Sequence, residues 1–313
     1  MLYRQHLLLG AFFILLAELF FASMGAAVKL VTTELPSEMA VFMRNLFGLI
    51  LMTPLVWRYG VSGLKTGILH IHLLRSVVGV SAMYCFFYAL SQLQLADGML
   101  LKMTAPLFMP LIALLWLGET LRKRTLIALG IGFFGVVLVL NPQGEFNQVA
   151  LVGLLGGALA SLAKVSLRRL GQSEPSVRVV FYFALLSTLI SILPMYWHWQ
   201  TPNLQQWALF ALVGLMGTLG QLFLTRGYAI ASPAAVSPFT YASVLFGAFY
   251  GYLFWDETIS LQFIIGALLI AMAGVLALYG RQRAAALQGP ADTGLIATVV
   301  PEKAPLIINP APK

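Results

Sequence analysis

Most side chains in this sequence that could do chemistry interrupt long apolar runs. Glu18 stands about 11 residues into a run that opens at Leu7. Arg44, followed by Asn45, and Lys102, followed by Met103-Thr104, lie about six residues inside their runs, and Arg75 about five. A carboxyl group in such surroundings can exchange a proton or meet a cation. A guanidinium offers a planar fork to a carboxylate or phosphate, and an ammonium acts as a point charge. Tyr84, Tyr88, Thr104, Gln221, Thr240 and Tyr241 add hydroxyl and amide groups that could hydrogen-bond a ring or a carboxylate. We take Glu18, Arg44, Asn45, Arg75, Tyr84, Lys102, Thr104, Gln221 and Tyr241 as the candidate ligand-binding set.

Each of these has a plainer reading. Arg44, Arg75 and Lys102 can extend along lipid toward the interface. Arg75 can also gate a cavity mouth or pair with Glu119. Tyrosines serve as packing or interfacial residues. Glu18 can be the fixed partner of a buried base. Lys29 and Arg226, near helix ends, are expected to reach the interface. Lys164, with Arg168 and Arg169, is expected to anchor the end of its helix. Glu119 and Glu257 stand at helix ends, where a carboxylate meets the negative end of the dipole. They are expected to cap or open the next helix, or to lock to a base, in a structural role.

Other chemistries are excluded by what is missing. Cys85 is the single cysteine, too few for an internal disulfide or a cysteine zinc site. His6, His70, His72 and His198 lie at the ends of apolar runs without metal-binding spacing. No nucleophile-base pair, glycine-rich phosphate loop or HExxH motif occurs, so no enzyme, metal or cofactor is expected. The net charge of +8 does not point to nucleic acid, because the basic residues form no basic domain.

The elements that must carry these residues follow from composition. Of 313 residues, 60% are hydrophobic and 10% charged, with a mean hydropathy of +0.88. Soluble domains carry about 25% charged residues, so this chain is expected to lie in a bilayer. A span needs about 20 apolar residues. Ten stretches qualify: 7–31, 38–57, 70–90, 96–118, 124–141, 148–169, 177–197, 205–230, 233–255 and 259–279. Strand alternation is absent, so the expected fold class is an all-α membrane protein of ten transmembrane helices. The first run is too long for a signal-peptide core and is read as a retained span. The Pro- and Ala-rich tail, 281–313, is expected to be disordered. Pro106, Pro110, Pro233 and Pro238 should kink or start helices. The glycine stripes 153–161 and 214–220 permit close helix approach. Trp197, Trp199 and Trp207 suit an interfacial belt.

Lys and Arg fall on one side only. The odd-numbered connections, 32–37, 91–95, 142–147, 198–204 and 256–258, hold none. Arg58, Lys65, Arg122, Lys123, Arg124, Lys164 to Arg178 and Arg226 cluster at the even ones, and Arg4, Arg281 and Arg283 at the two tails. Both termini are therefore expected in the cytoplasm.

Dipeptides recur at a near-constant offset. Glu119-Thr120 and Glu257-Thr258 are 138 apart, as are Ala22-Ser23 and Ala160-Ser161. Pro36-Ser37 and Pro175-Ser176, and Gly135-Val136 and Gly274-Val275, are 139 apart, and Tyr88-Ala89 and Tyr228-Ala229 140. The chain reads as two five-helix repeats, 7–141 and 148–280. Five being odd, the second enters the membrane from the opposite side, an arrangement suited to exposing one site alternately to each side.

The segments VKLVTTELPSEMAVFMRN (28–45), LLRSVVGVSAMYCFFYALSQLQLADGMLLKMTAPLFMPLIALLWLGET (73–120) and SPFTYASVLFGAFYGYLFWDET (237–258) resemble the drug/metabolite transporter superfamily, and within it the ten-helix EamA-type carriers. The second copy departs from the pattern: no proline matches Pro106, and Asp256 replaces the glycine before Glu257. The resemblance implies a multi-pass carrier of small metabolites in an inner membrane, with a cavity between the halves. The substrate classes it implies are amino acids, vitamins, nucleoside-like cofactors or organic anions. Its expected partners are a small-molecule substrate and the lipid bilayer, with proton coupling through Glu18, as a monomer or homodimer. Two alternatives stand beside it: efflux of drugs or organic cations through Glu18, and a non-transporting sensor or assembly subunit. Three bases against one deep acid favour a solute with a carboxylate or phosphate.

Overall fold

The structure is a computed structural model that describes residues 2–117, 123–140, 148–170, 173–230 and 237–287. The described residues form helices without a strand: α1 (Leu2–Val31), α2 (Ser37–Tyr59), α3 (Leu69–Gln92), α4 (Leu95–Lys102), α5 (Ala105–Leu117), α6 (Lys123–Leu140), α7 (Gln148–Leu170), α8 (Ser176–Trp197), α9 (Leu204–Ile230), α10 (Ala242–Trp255) and α11 (Leu261–Leu287). Short 3-10 turns precede α3 at Val61–Leu64 and α10 at Ser237–Tyr241. Six described spans are long and apolar enough to cross a membrane. With α4 and α5 taken as one broken rod, and the second 3-10 turn joined to α10 as one continuous rod, the described helices make ten rods.

The spans expected at 96–118 and 233–255 carry prolines expected to kink or start helices, and the first span is broken where Pro106 starts α5. Pro106 explains this break. Its ring would strike the carbonyl of Lys102, and it has no N–H to give that carbonyl. The helix therefore stops at Lys102, and α5 restarts at Ala105 with Pro106 in its first turn, where a proline is tolerated. In the other rod, Pro238 lies within the 3-10 turn that leads directly into the α-helix at Ala242. The break at Met103 and the 3-10 to α transition at Tyr241-Ala242 stand 138 to 139 positions apart.

Packing partners exchange in pairs. α1 lies along α9, and α7 along α3; α2 meets α9 as α8 meets α3; α1 meets α10 as α7 meets α4 and α5. α6 and α11 pack on one another. The glycine stripes sit at these seams. A Cβ at Gly156 would come within 2.9 Å of Cys85 Cβ, and one at Gly220 within 2.8 Å of the Phe21 ring. The surface is apolar: Leu8, Phe12, Phe134, Leu193, Leu245 and Leu268 are all exposed. In lipid such a surface is the solvated state, and only the interior needs polar matching.

Two ends differ from expectation. α1 begins at Leu2, five residues before the apolar run. The last helix continues through Arg281-Gln282-Arg283-Ala284-Ala285-Ala286-Leu287, where a disordered tail was expected. All seven residues are good helix formers, so the helix outlasts the membrane-length apolar segment. The expectation for 288–313 lies outside the described residues, as do those for Glu119 and Pro233.

Candidate functional site

A cavity of about 220 Å³ occupies the seam between the two sets of helices. α1 brings Glu18 to it, α2 Arg44, α3 Arg75, α4 Lys102, α7 Lys164, α9 Gln221, and the 3-10 turn Thr240. Phe21, Met24, Met83, Phe86 and Phe183 form its apolar walls. The break after Lys102 has a direct consequence here. It ends α4 at the cavity, so the last residue of that helix points its ammonium inward.

The charged groups are buried and loosely matched. Glu18, Arg44 and Arg75 are 3%, 7% and 6% exposed. Glu18 Oε2, Arg75 Nε and Nη1, and Lys102 Nζ have no hydrogen-bond partner. Arg44 donates through Nη1 to Asn45 Oδ1 at 3.0 Å. The bases rest on rings instead of on acids: Arg75 lies 4.3 Å from the Phe183 ring centre, and Lys102 4.3 Å from Phe21 and 5.5 Å from Phe86. Cation-π contacts of this kind are worth about 0.5–2 kcal/mol, well below what full hydration gave. Each charge costs about 2.5–3.5 kcal/mol to place in a membrane. Glu18 stands within the field of Lys102 and Lys164 and offsets part of their charge, but one carboxylate cannot balance four bases, so the cavity keeps an excess of positive charge.

Of the candidate set, Glu18, Arg44, Arg75, Lys102 and Gln221 line this one cavity. Asn45 stands behind Arg44 as its acceptor. The others face elsewhere. Thr104 is buried and donates to the Leu101 carbonyl at 2.6 Å, closing the helix break. Tyr241 donates to the Ile270 carbonyl at 3.3 Å and so ties α10 to α11. Tyr84 packs against the apolar core with its hydroxyl unpartnered. Lys164 was expected only as a helix-end anchor, yet it lines the cavity. The signal was in the glycine stripe: Gly153, Gly156, Ala160, Ala163 and Leu167 all line the same face of α7, and Lys164 adjoins it. Among the described residues no group of His, Cys, Asp and Glu could hold a metal ion.

A second charge cluster lies at the end of α1, beyond the cavity-lining residues. Lys29, at the end of α1, pairs with Glu257, just past α10. Lys29 Nζ also donates to the Leu93 carbonyl at 2.8 Å and lies 5.2 Å from the Trp255 ring centre. Glu257 Oε2 accepts the Leu95 N–H at 2.8 Å, which caps the N-terminus of α4. Lys29 does not reach for the interface as expected, because a carboxylate and a carbonyl lie closer. Glu257 does both things foreseen for it, but the helix it caps is α4, not the next one. Asp256 makes this possible: its left-handed φ of 53° turns the chain sharply. Gly251 leaves room for the Glu257 carboxylate, which occupies the space of a Cβ there. At the same end Gln206 donates to Glu34 at 2.6 Å, and Asn203 and Gln206 cap α9 reciprocally.

The opposite end carries a different tie. Glu174 accepts from Thr66 at 2.7 Å and from Arg178 at 2.5 Å, while Arg178 Nε donates to the Gly63 carbonyl at 2.8 Å. Desolvation raises the Glu174 carboxyl pKa, but the Thr66 and Arg178 hydrogen bonds and the Arg178 charge outweigh it and hold it below 4.5. Lys164, an exposed residue, lies toward this end, in the last two turns of α7.

A model of the EamA-like transporter family matches residues 8–141 and again 147–279. The chain belongs to that family. It is 32% identical over 267 residues to the pseudopaline exporter CntI of Pseudomonas aeruginosa, covering 84% of this chain and 94% of that protein. It is 31% identical over 284 residues to an uncharacterized transporter of Helicobacter pylori, covering 87% and 95%. To the S-adenosylmethionine uptake transporter of Rickettsia bellii it is 26% identical over 257 residues, covering 82% and 88%. A solved crystal structure shares the fold at a TM-score of 0.61 and 20% identity, covering 90% of this chain and 99% of its own. The chain is thus a multi-pass membrane protein of a transporter family, and small solutes are its expected cargo.

Proposed function

We propose that this chain is a secondary carrier that moves a small metabolite across the inner membrane by alternating access. The halves 7–141 and 148–280 rock about the cavity, with both termini cytoplasmic. The observation that carries the reading is the helix broken at Met103, which brings Lys102 to the cavity, with the 3-10 turn at the corresponding place in the second repeat bringing Thr240 to the same cavity. Discontinuous helices at corresponding positions of two repeats mark the binding site of such carriers. In this reading the Lys29–Glu257 pair is the closed outer gate, and the cavity communicates with the cytoplasm past Lys164. Glu18, the carboxylate that lines the cavity, exchanges the coupling proton. Relatives named as an exporter and as an uptake transporter support the carrier class for either direction.

The test uses proteoliposomes loaded with a bacterial metabolite extract, with mass spectrometry of what crosses. At least one solute should move with the wild-type protein and not with Arg75→Ala. An imposed pH gradient should drive that flux, and Glu18→Gln should keep exchange while losing the drive. Folded protein that moves nothing in either direction would sink the carrier reading.

A further inference from the structure

We infer that Glu257 is a positioning residue for Lys102, acting through α4, so that the Lys29–Glu257 pair and the cavity move as one unit. This rests on the carrier reading for calling the pair a gate, and on the pair's own contacts for the rest. Lys29 and Glu257 meet each other, and each also holds the chain at the start of α4. Lys29 Nζ donates to the Leu93 carbonyl at 2.8 Å, and Glu257 Oε2 accepts the Leu95 N–H at 2.8 Å. The pair therefore grips the turn between α3 and α4 by a carbonyl on one side and an N–H on the other. α4 has no cap of its own, because Gln94 before it makes no side-chain hydrogen bond. Its first orphan donor is satisfied from a residue 162 positions away. A carboxylate at that end also suits the helix dipole. Glu257 is itself tied to α10 by its N–H, which donates to the Gly251 carbonyl at 3.1 Å. Asp97, in the first turn of α4, stands in the field of both charges.

α4 carries that grip to the cavity. It has eight residues, so about 10 Å of rigid helix separates Leu95 from Lys102. Beyond Lys102 the helix is released from α5, because Pro106 has no N–H to return to the Lys102 carbonyl. A continuous helix would tie Lys102 to the whole span down to Leu117. The break ties it to the Glu257 end instead. The flanks of α4 run against backbone. A Cβ at Gly247 of α10 would stand 2.9 Å from Met99 Cγ, and one at Gly153 of α7 2.6 Å from Leu101 Cδ1. One at Gly25 of α1 would overlap Met99 Cε. Glycines on three neighbouring helices let α4 sit close without a side chain projecting across its path. At the far end Lys102 Nζ has no hydrogen-bond partner and rests on the Phe21 and Phe86 rings. The helix is thus held by directional bonds at the Leu95 end and by none through its last side chain. The coupling runs both ways: whatever draws Lys102 to a new place also loads the Lys29–Glu257 pair.

The experiment is NMR of the full-length protein in detergent micelles, with carbon-13 at the lysine ε-methylenes. The chain has seven lysines, and single Lys→Met changes assign the signals of Lys29, Lys102 and Lys164. The Phe21 ring displaces the Lys102 signal, and the Trp255 ring, 5.2 Å from Lys29 Nζ, displaces that of Lys29. Lys164 lines the same cavity from α7 and serves as the control. Glu257→Ala should shift the Lys102 signal toward that of the exposed Lys65 and leave Lys164 in place. Glu257→Gln keeps an acceptor for the Leu95 N–H and should shift it less. Lys102→Met should in turn shift the Lys29 signal. Pro106→Ala, which lets α4 run on into α5, should shrink the response of Lys102 to Glu257→Ala. A plain helix cap would steady α4 and move none of these selectively. A Lys102 signal unmoved in Glu257→Ala, or one that moves together with Lys164, would overturn the inference. Where Glu257→Ala fails to fold, Glu257→Gln and Lys102→Met decide: unmoved Lys102 and Lys29 signals overturn it. The carrier reading fails separately. Coupled signals in a protein that moves no solute in vesicles would describe a latch without transport. Transport with uncoupled signals would keep the carrier and remove the lever.

Discussion

Two groups of buried charge share this bundle, and they are built by opposite rules. In the Lys29–Glu257 cluster the cation meets a carboxylate and a carbonyl, and the carboxylate also meets the first N–H of α4. In the cavity, Glu18 Oε2, Arg75 Nε and Nη1, and Lys102 Nζ have no hydrogen-bond partner, and the two bases meet only rings. A matched cluster fixes one geometry. An unmatched one stores a demand that a ligand can answer. The difference separates the part of the molecule that holds a conformation from the part that recognises a solute, and substitution can expose it.

The largest effect on stability should come from breaking the matched cluster on one side. Lys29 and Glu257 side chains are 13% and 11% exposed. Lys29→Ala strands the Glu257 carboxylate and should cost about 3 kcal/mol. The double change Lys29→Met with Glu257→Gln should recover most of that loss, since the amide still accepts from Leu95. Thermal denaturation in detergent of the three variants checks this. A double variant as unstable as the single one would mean that the cluster works by packing and not by charge matching.

The cavity should answer in the reverse sense. Lys102→Met removes an ammonium with no hydrogen-bond partner and keeps an apolar stem against Phe21 and Phe86. The ligand-free protein should gain about 1–3 kcal/mol, while transport falls by about a hundredfold or more. A gain in stability with loss of transport is the mark of a residue kept for function against the interest of the fold. A variant that loses stability would place Lys102 among the structural charges beside Lys29.

How much of this was legible in the sequence follows from the same contrast. Glu18 could be found because a short acid near the middle of an apolar run has no route to water. The ten helices could be counted because bilayer thickness sets their length. Lys29 and Lys164 were misjudged for a shared reason: both lie near helix ends, and a long stem reaches inward as readily as outward. Periodicity along one helix does not say what a neighbouring helix offers. Lys29 turns inward because Glu257 is there, 228 positions away. Tyr84, Thr104 and Tyr241 have the right groups, but whether a hydroxyl faces a cavity, a carbonyl or the core is decided by the helix packing. Even the Pro106 break, expected as a kink, gains its meaning only when α4 is seen to end at the cavity.

A smaller effect should come from Gly217, which lies behind the cavity-lining Met24 and Arg44 side chains. A Cβ there would stand 2.9 Å from Met24 Sδ and 3.1 Å from Arg44 Nε. Both neighbours are ends of flexible side chains, so the helices need not part. Gly217→Ala should cost about 1 kcal/mol or less of stability. It should raise the half-saturating substrate concentration about tenfold by shifting the Arg44 fork. Transport kinetics of the variant check it. An unchanged half-saturation would show that Arg44 serves the structure through Asn45 and does not touch the solute.

The smallest effect lies at the end away from Lys29, where Glu174 joins the loop after α2 to the start of α8. Its carboxyl titrates below 4.5 because Thr66 and Arg178 stabilise the charged form more than burial penalises it. A carboxylate with a depressed folded pKa stabilises the protein fully above its unfolded pKa. The contribution fades as pH falls through the depressed value, since both states are then protonated. Glu174→Gln should therefore lower the melting temperature at pH 7, by the equivalent of about 1 kcal/mol. The gap between variant and wild type should narrow as the pH is taken from 5 toward 3. Arg178 is partly exposed, at 19% of its side chain, so added salt should shrink the gap as well. A gap that persists unchanged at low pH would mean that the negative charge of Glu174 is not what the variant lacks, since an amide oxygen can still accept from Thr66. The tie would then owe its strength to how the loop packs against α8, and this end, like the Lys29 end, would have to be judged by geometry before charge.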